Sequence, residues 1–202
     1  MKQPLGVILA GGQATRMGGG DKGLLKIGQQ TLLSRVIDRL SVQVAELALN
    51  ANGDPARFDR FGLPVLPDSI EGFAGPLAGV LAGLDWAAER GADTIVTAAA
   101  DTPFFPGDLV PQLLLASEGM THPLVLSATP NRERGRVRHP TFGLWPVALR
   151  EDLRAAIQGG LRKVVLWTDA HGGREALFPV TTIDPFFNVN TPDDLARAEA
   201  LL

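Results

Sequence analysis

Residues 9–22 read LAGGQATRMGGGDK, and they directly follow the apolar run Val7-Ile8-Leu9. Glycine has no Cβ, so its backbone N–H groups can approach anionic oxygens closely, and successive N–H groups form an anion-binding concavity. Arg16 and Lys22 add positive charge within the same stretch. The stretch therefore predicts a glycine-rich loop that wraps a nucleoside triphosphate at the carboxyl end of a first parallel strand.

Two other phosphate-binding motifs fit this stretch poorly. The Walker A pattern needs Gly-Lys followed by Ser or Thr, whereas Asp21 precedes Lys22 and Gly23 follows it. The pattern GxGxxG is present as Gly18, Gly20 and Gly23, but it is not held tightly between a strand and a helix. A dinucleotide-binding fold and a plain surface loop are therefore the minor alternatives.

The composition narrows the class of protein. The 202 residues are 45% hydrophobic and 20% charged, which favours a single domain over residues 1–202 with a substantial core. The chain contains no cysteine, which excludes disulfides, thiolate zinc sites and cysteine nucleophiles. No apolar run approaches the roughly 18 residues of a membrane span, and no signal-peptide pattern precedes the first strand. We therefore expect a cytoplasmic location.

The charge distribution favours a small anionic ligand over a large one. The net charge of −3 argues against general attraction to nucleic acid or to acidic membranes, so we expect neither as a partner. Residues 1–30 nevertheless carry four basic side chains against one acidic side chain. This local excess lies where the glycine-rich loop would need it to attract a triphosphate.

Apolar runs and helical periodicity alternate four times in the first half of the chain. Strands are predicted at residues 5–10, 44–49, 63–66 and 94–100, and helices at 31–40, 55–61, 76–91 and after Pro106. This alternation predicts an α/β fold with a doubly wound, mostly parallel sheet flanked by helices. In such sheets ligands bind at the carboxyl ends of the strands, so residues 1–116 are expected to be mainly the nucleotide-binding half.

The second half, residues 117–202, is less regular and is expected to bind mainly the acceptor. Two strands at 124–128 and 138–144 flank an arginine-rich turn, and a short strand is predicted at 176–180. Helices are predicted at 147–157 and 161–170, the latter with strand as the alternative. A last helix reaching residue 202 begins at Thr191, followed by Pro192 and two acidic residues, which is a typical helix start.

Polar side chains follow three of the predicted strands: Asn50, Asp68 and Asp101. Asp101 ends an apolar strand, so its carboxylate would be desolvated unless it were paired or bound to a metal. Magnesium sites commonly combine one or two carboxylates with substrate phosphates, which makes Asp101 the candidate metal ligand. A turn carboxylate is the alternative interpretation for both Asp101 and Asp68.

Other conspicuous side chains are ambiguous. His139 could contact a second substrate or make a structural hydrogen bond. The arginines of the turn could bind an anionic acceptor, although most such turns are solvated hairpins. The tryptophans are expected in the core, and no nucleophile elbow supports hydrolase chemistry. These arginines and tryptophans are Arg132, Arg134, Arg136, Arg138, Trp86, Trp145 and Trp167.

Several stretches together resemble a known family. LAGG followed by Arg16-Met17-Gly18 and by Asp21-Lys22 resembles the signature of the nucleotidylyltransferase superfamily. The chain is more narrowly similar to the molybdenum cofactor guanylyltransferases, and the similarity covers almost its whole length. The further stretches are NAN at 50–52, PDS at 67–69, GPLAG at 75–79, DTP at 101–103, HPT at 139–141 and NVNTP at 188–192.

The resemblance implies an activity, and it also implies roles for matching residues. The activity is transfer of GMP from GTP to molybdopterin that carries molybdenum, with Mg²⁺ required and pyrophosphate released, on a Rossmann-like nucleotidyltransferase fold. Proteins that deliver the molybdenum cofactor are possible partners. Asp101 would bind Mg²⁺ and act with Arg16 and Lys22 in catalysis. Nucleotide contacts would come from Leu9, Ala10, Gly11, Gly12, Lys22, Asn50, Asp68 and Asp101, and acceptor contacts from Gly79, His139, Asn188 and Asn190.

Two alternatives stay open at this stage. A cytidylyltransferase acting on molybdopterin or on a terpenoid phosphate would use the same chemistry, because a few loop contacts decide the base. A non-catalytic nucleotide-binding regulator would keep the glycine-rich loop, but it would not need Asp101 at a metal position.

Overall fold

A computed structural model of the chain describes residues 2–11, 21–70, 72 and 75–202. Two predicted site residues, Gly12 and Arg16, lie outside the described residues, as does most of the glycine-rich loop. Within the described residues, no helix is long and apolar enough to cross a membrane.

The strands of the described chain follow the predicted alternation, with two additions. Residues 26–31 form a small hairpin that the sequence pattern did not indicate. The strands are β1 (Leu5–Leu9), β2 (Lys26–Ile27), β3 (Gln30–Thr31), β4 (Leu47–Asn50), β5 (Val65–Leu66), β6 (Thr94–Ala99), β7 (Val125–Asn131), β8 (Gly135–Pro146) and β9 (Arg174–Leu177).

One seven-stranded sheet contains strands from both halves of the chain, in the order β5-β4-β1-β6-β8-β7-β9. β1 lies between β4 and β6 and is parallel to both. β8 is antiparallel to β6 on one side and to β7 on the other, and β9 is parallel to β7 at the far edge. The predicted doubly wound, mostly parallel sheet is therefore confirmed.

The helices cover both faces of this sheet. Side chains from α1 (Leu32–Ser41) and α3 (Leu109–Ala116) pack on one face. Side chains from α2 (Pro76–Glu89), α4 (Arg150–Gln158) and α5 (Val164–Ala170) pack on the other. Trp86, Trp145 and Trp167 are all buried on the second face, as expected. The structure also has α6 (Pro192–Glu199), and 3₁₀ helices span Lys22–Leu24, Pro55–Phe61 and Val147–Leu149.

A third apolar cluster attaches the end of the sequence to its beginning. Ile27 from the β2–β3 hairpin and Leu32 from α1 pack against Val189 and against Ala198 of α6. α6 begins as predicted, because Thr191 caps it and exchanges hydrogen bonds with the backbone and side chain of Asp194. Residues 184–191, which precede α6, are therefore held beside the segment that follows the glycine-rich loop.

Candidate active site

A cavity of about 1010 Å³ opens at the carboxyl ends of β1, β4, β5 and β6. Residues at the ends of these strands or directly after them line the cavity. Thr141 and Asn188 bring the second half of the chain to the same cavity. Its described lining is Leu9, Ala10, Gly11, Lys22, Gly23, Asn50, Asn52, Pro67, Asp68, Ile70, Gly72, Gly75, Pro76, Ala99, Ala100, Asp101, Thr141 and Asn188.

Asp68 is held by two asparagines at one end of the cavity. The Asn50 amide donates to one carboxylate oxygen at 2.9 Å, and the Asn52 amide donates to the other at 2.8 Å. The backbone N–H of Asp68 donates in return to the Asn52 side-chain oxygen at 2.9 Å. This network fixes the orientation of a carboxylate that faces the cavity, which suits it to accept hydrogen bonds from a ligand.

Lys22 and Asp101 meet near the tips of β1 and β6. The Lys22 ammonium lies 3.7 Å from a carboxylate oxygen of Asp101, and both side chains are 19% exposed. Burial raises the pKa of the Asp101 carboxyl above its ordinary value, while the Lys22 charge and the Thr102 hydroxyl oppose that shift. A cation and a partly desolvated carboxylate therefore face the cavity with only a loose contact between them.

Residues 188–190 form hydrogen bonds with Lys22, with Asp101 and with its neighbour Thr102. The Lys22 ammonium donates to the Asn190 side-chain oxygen at 2.6 Å, and the Thr102 hydroxyl donates to that of Asn188 at 2.6 Å. The backbone N–H of Val189 donates to the Asp101 carbonyl oxygen at 2.9 Å. Asn188 lines the cavity, whereas Asn190 reaches it through Lys22.

A bulge in β8 brings Thr141 into the cavity. Ser127 of β7 pairs with His139 and Leu126 pairs with Gly143, so residues 140–142 have no partner on β7. Proline cannot donate to a strand ladder and is typical of such irregularities. The sequence predicts no site role for Thr141 of the HPT stretch, because the bulge depends on strand pairing that the sequence does not display.

His139 lies behind the cavity wall and outside the lining. Its Nε2 is 2.9 Å from the Thr129 hydroxyl, and its ring stacks on Phe186 with ring centroids 4.3 Å apart. Burial lowers the pKa of the His139 imidazole, although the charge of Asp184 acts in the opposite direction. These contacts are those of a supporting residue.

Gly79 also lies behind the wall, within α2. A Cβ at this position would overlap the side-chain oxygen of Asn50 and would come within 2.8 Å of a Leu9 methyl group. Glycine is therefore required there for the close approach of helix and strand tips. Its position supports the Asn50 amide that binds Asp68.

The arginine-rich turn forms the tip of the β7–β8 hairpin. Arg136 and Arg138 bind Glu175 of β9, and Arg138 also binds Asp169 of α5 at 2.7 Å. The turn was expected to be either a solvated hairpin or an acceptor-binding site. These ion pairs favour the hairpin, because the charges of Arg136 and Arg138 are engaged with side chains of this chain.

No cluster of three or more histidine, aspartate or glutamate side chains suited to holding a metal occurs among residues 2–11, 21–70, 72 and 75–202. A metal held entirely by protein ligands is therefore not supported in that part of the chain. Asp101 offers one carboxylate beside a cavity, which fits an ion that is also bound by substrate phosphates and water.

Residues 6–172 match the family model described as the MobA-like NTP transferase domain. The molybdenum cofactor guanylyltransferase of Bradyrhizobium sp. (strain ORS 278) is 51% identical over 97% of this chain and 92% of its own. That of Cereibacter sphaeroides is 53% identical over 98% and 96%.

A solved structure supports the same fold. Molybdopterin-guanine dinucleotide biosynthesis protein A from Archaeoglobus fulgidus superposes with a TM-score of 0.70 at 23% identity, over 98% of this chain and 97% of that one. The family model and the two relatives confirm the family resemblance inferred from the motifs. The chain belongs to the MobA-like NTP transferase family and, with these relatives, to the molybdenum cofactor guanylyltransferases, which are nucleotidyltransferase enzymes.

Proposed function

We propose that the chain transfers GMP from GTP to molybdenum-molybdopterin, releases pyrophosphate and forms the molybdopterin guanine dinucleotide cofactor. The observation that carries the proposal is the meeting of Lys22 and Asp101 in a cavity built from both halves of the sheet. The cavity volume lies at the upper end of the usual range of roughly 300–1000 Å³ for small-molecule sites, which suits two substrates held side by side. The names of the relatives supply the identity of those substrates.

The nucleotide is proposed to lie along the tips of β1, β4 and β5. Lys22 would contact its phosphates, with Arg16 assisting from the glycine-rich loop, while Asn50 and Asp68 would contact the nucleoside. Asp68 suits this role because its carboxylate is held in place before any ligand arrives. The remaining proposed contacts come from the backbone after β1, at Leu9, Ala10, Gly11 and Gly12.

Asp101 is the residue proposed to hold Mg²⁺. Its carboxylate is the kind of hard oxygen ligand that Mg²⁺ prefers, and the missing ligands are expected from phosphates and water. When bound, the ion would neutralise charge on the phosphates and favour departure of pyrophosphate. Lys22 stands within 3.7 Å of the same carboxylate and would oppose the same negative charge.

The reaction needs positioning more than acid–base help. The terminal phosphate of the acceptor attacks the α-phosphorus of GTP in line, and the bond to the oxygen that bridges the α- and β-phosphorus breaks. Because the attacking oxygen is already anionic, no strong general base is required. Lys22 and Arg16 are then proposed to stabilise charge that accumulates on the leaving pyrophosphate.

The acceptor is proposed to bind on the side of β8 and residues 188–190. Asn188 is proposed to contact the acceptor directly, and its position in the cavity lining supports this role. Asn190 would act close to the reacting centre through Lys22. His139 lies behind the wall, and we propose that it shapes the acceptor side without contacting the acceptor. Gly79, expected from the family resemblance to contact the acceptor, instead packs against Asn50 and Leu9, so we propose that it supports the nucleotide side.

The proposal is tested by incubating the protein with Mg²⁺, molybdopterin carrying molybdenum, and GTP, CTP or ATP in turn, and measuring pyrophosphate. Release with GTP alone is the expected result. Preference for CTP would identify a cytidylyltransferase, and binding of GTP without release would identify a regulator. A cytoplasmic location and docking to cofactor-delivery proteins are further expectations of this function.

A further inference from the structure

Arg57 lies between the two parts of the site that are proposed to bind one nucleotide. It belongs to the 3₁₀ helix Pro55–Phe61 that follows β4. Its Nε lies 2.7 Å from a carboxylate oxygen of Asp21, and its two terminal nitrogens donate to the carbonyl oxygens of Asp54 and Asn52. All three guanidinium nitrogens are thus engaged, and the flat, forked shape of the group suits it to hold several oxygens in fixed relation.

The ion pair between Arg57 and Asp21 links Arg57 to Lys22. Asp21 directly precedes Lys22, and its carbonyl oxygen accepts from the N–H of Leu24 in the 3₁₀ turn. The side chains of Arg57 and Asp21 are 28% and 20% exposed, so their ion pair is largely withdrawn from solvent. Holding Asp21 therefore fixes the backbone from which Lys22 reaches the cavity.

Hydrogen bonds through Asn52 link Arg57 to Asp68. Arg57 holds the carbonyl of Asn52, and the Asn52 side chain exchanges two hydrogen bonds with Asp68, one with its carboxylate and one with its backbone N–H. Asn52 lines the cavity but was not predicted as a site residue. A continuous chain of contacts thus runs from Asp21 through Arg57 and Asn52 to Asp68, and we name these four residues the Arg57 bracket.

We propose that Arg57 is a positioning residue that sets the separation between Lys22 and Asp68, so that a single nucleoside triphosphate can contact both. The inference rests on the proposed function, which assigns phosphates to Lys22 and the nucleoside to Asp68. A ligand that binds two linked subsites gains affinity because contact at one end raises the effective concentration at the other. That gain is lost when the spacing varies, even if each subsite alone is intact.

The same 3₁₀ helix supplies a matched control. Arg57 lies over the ring of Phe58 at 4.6 Å, so part of its effect could be local packing. Arg60 lies over the ring of Phe61 at 4.7 Å in the same way. Arg60 therefore shares the helix, the charge and the aromatic contact of Arg57 but is not a member of the bracket.

The test measures binding of whole and partial ligands to the full chain without acceptor. GTP, guanosine and inorganic tripolyphosphate are titrated against wild type, Arg57→Gln, Arg57→Lys and Arg60→Gln, and melting temperatures are recorded. We expect Arg57→Gln to weaken GTP binding by roughly tenfold or more, yet to change guanosine and tripolyphosphate binding by less than about twofold. Arg57→Lys should weaken GTP binding by less, and Arg60→Gln should match wild type.

Other outcomes would overturn the inference. Unchanged GTP affinity in Arg57→Gln, or an equal loss for GTP and for either fragment, would show that Arg57 does not set the spacing. If Arg57→Gln does not fold, Asp21→Asn removes the ion pair and leaves the 3₁₀ helix intact, and the same selective loss for GTP is expected. Failure of wild type to bind GTP would instead contradict the proposed function itself.

Discussion

The two halves of the sheet use their charged side chains differently. At the tips of β1 and β6, Lys22 and Asp101 are 3.7 Å apart and face a cavity. On β8, Arg138 binds Glu175 at 2.6 Å and Asp169 at 2.7 Å. Closely paired charges have their partners within the fold, whereas loosely paired charges beside a cavity are available to a ligand.

The pKa values of the Asp101 and Glu175 carboxyl groups show the same contrast, because they shift in opposite directions. Burial raises the pKa of Asp101, and Lys22 offsets the effect only in part. Burial also acts to raise the pKa of Glu175, but hydrogen bonds from Arg138 and Arg136 outweigh it and lower the pKa. A carboxylate left with unfavourable solvation is a better candidate for function than one whose charge is satisfied.

Removing the carboxylate of Asp101, the loosely paired acid beside the cavity, should have the largest effect on activity. We expect Asp101→Asn to reduce turnover by about 10³-fold, because metal-assisted charge stabilisation is worth several kcal/mol and each ~1.4 kcal/mol is tenfold in rate. Pyrophosphate release measures the loss, and chelation of divalent ions should reproduce it in wild type. The melting temperature should not fall, since burial disfavours the ionised Asp101. A variant that retained wild-type turnover would exclude Asp101 as the metal ligand.

Adding a methyl group at Gly79 tests whether this position behind the cavity wall supports the residues that line the cavity. The new Cβ would displace the Asn50 amide from Asp68, and a hydrogen bond to a charged group contributes about 1.5–3 kcal/mol. We therefore expect Gly79→Ala to raise the KM for GTP roughly tenfold or more, as measured by initial rates. Gly83→Ala is the control, because Gly83 lies in the same helix but packs against Val7 and Ile95, away from Asn50. Equal effects of both substitutions would indicate a general disturbance of α2.

His139 provides a pH test of its supporting role. The pKa of His139 in the folded state is lowered from 6.5. Because the unfolded chain then binds more protons than the folded chain as the pH falls below 6.5, the free energy of unfolding should decrease. We expect the melting temperature of wild type to drop by about 2–4 °C between pH 7.5 and 5.5 for each kcal/mol lost. His139→Gln, which keeps a polar group near Thr129, should show a smaller drop. An identical pH slope in both proteins would rule out this titration as the cause.

The smallest effect is expected in the paired charges of the second half. Arg138→Gln removes ion pairs with Glu175 and Asp169, and pairs near a surface contribute about 0–1 kcal/mol. We expect the melting temperature to fall by about 2–4 °C for each kcal/mol lost, and the KM values for both substrates to stay unchanged. A selective rise in the KM for the acceptor would mean that the hairpin binds it after all, and the contrast between the halves would fail.

Much of the fold could be predicted from the sequence, because local sequence patterns such as helix starts agreed with the tertiary structure. Thr191 and Pro192 predicted the start of α6, and a helix was correctly preferred over a strand for the segment containing Val164–Ala170. The β2–β3 hairpin was missed because two-residue strands carry no periodicity. β4 begins at Leu47, later than the predicted residue 44, since burial marks the apolar run but only pairing with β1 defines the strand.

Site residues could be predicted from the sequence where they lie at the end of a predicted strand, and less readily elsewhere. Asn50, Asp68 and Asp101 line the cavity because the parallel strands before them end at one edge. Thr141 enters through a bulge that depends on the pairing of β7 and β8, and Arg57 acts through contacts between separate loops. Such relations depend on register and loop packing, which hydrophobic periodicity does not encode.

The contact between Lys22 and Asn190 joins positions 168 residues apart in the sequence. During synthesis, the first half of the chain would leave the ribosome before Lys22 could donate to Asn190 and before the carbonyl oxygen of Asp101 could accept from Val189. A polypeptide cut short before residue 188 would therefore retain all nine described strands yet lack the hydrogen bond that Lys22 donates to Asn190. Assembly of the cavity around Lys22 and Asp101 is in this way coupled to synthesis of residues 188–190.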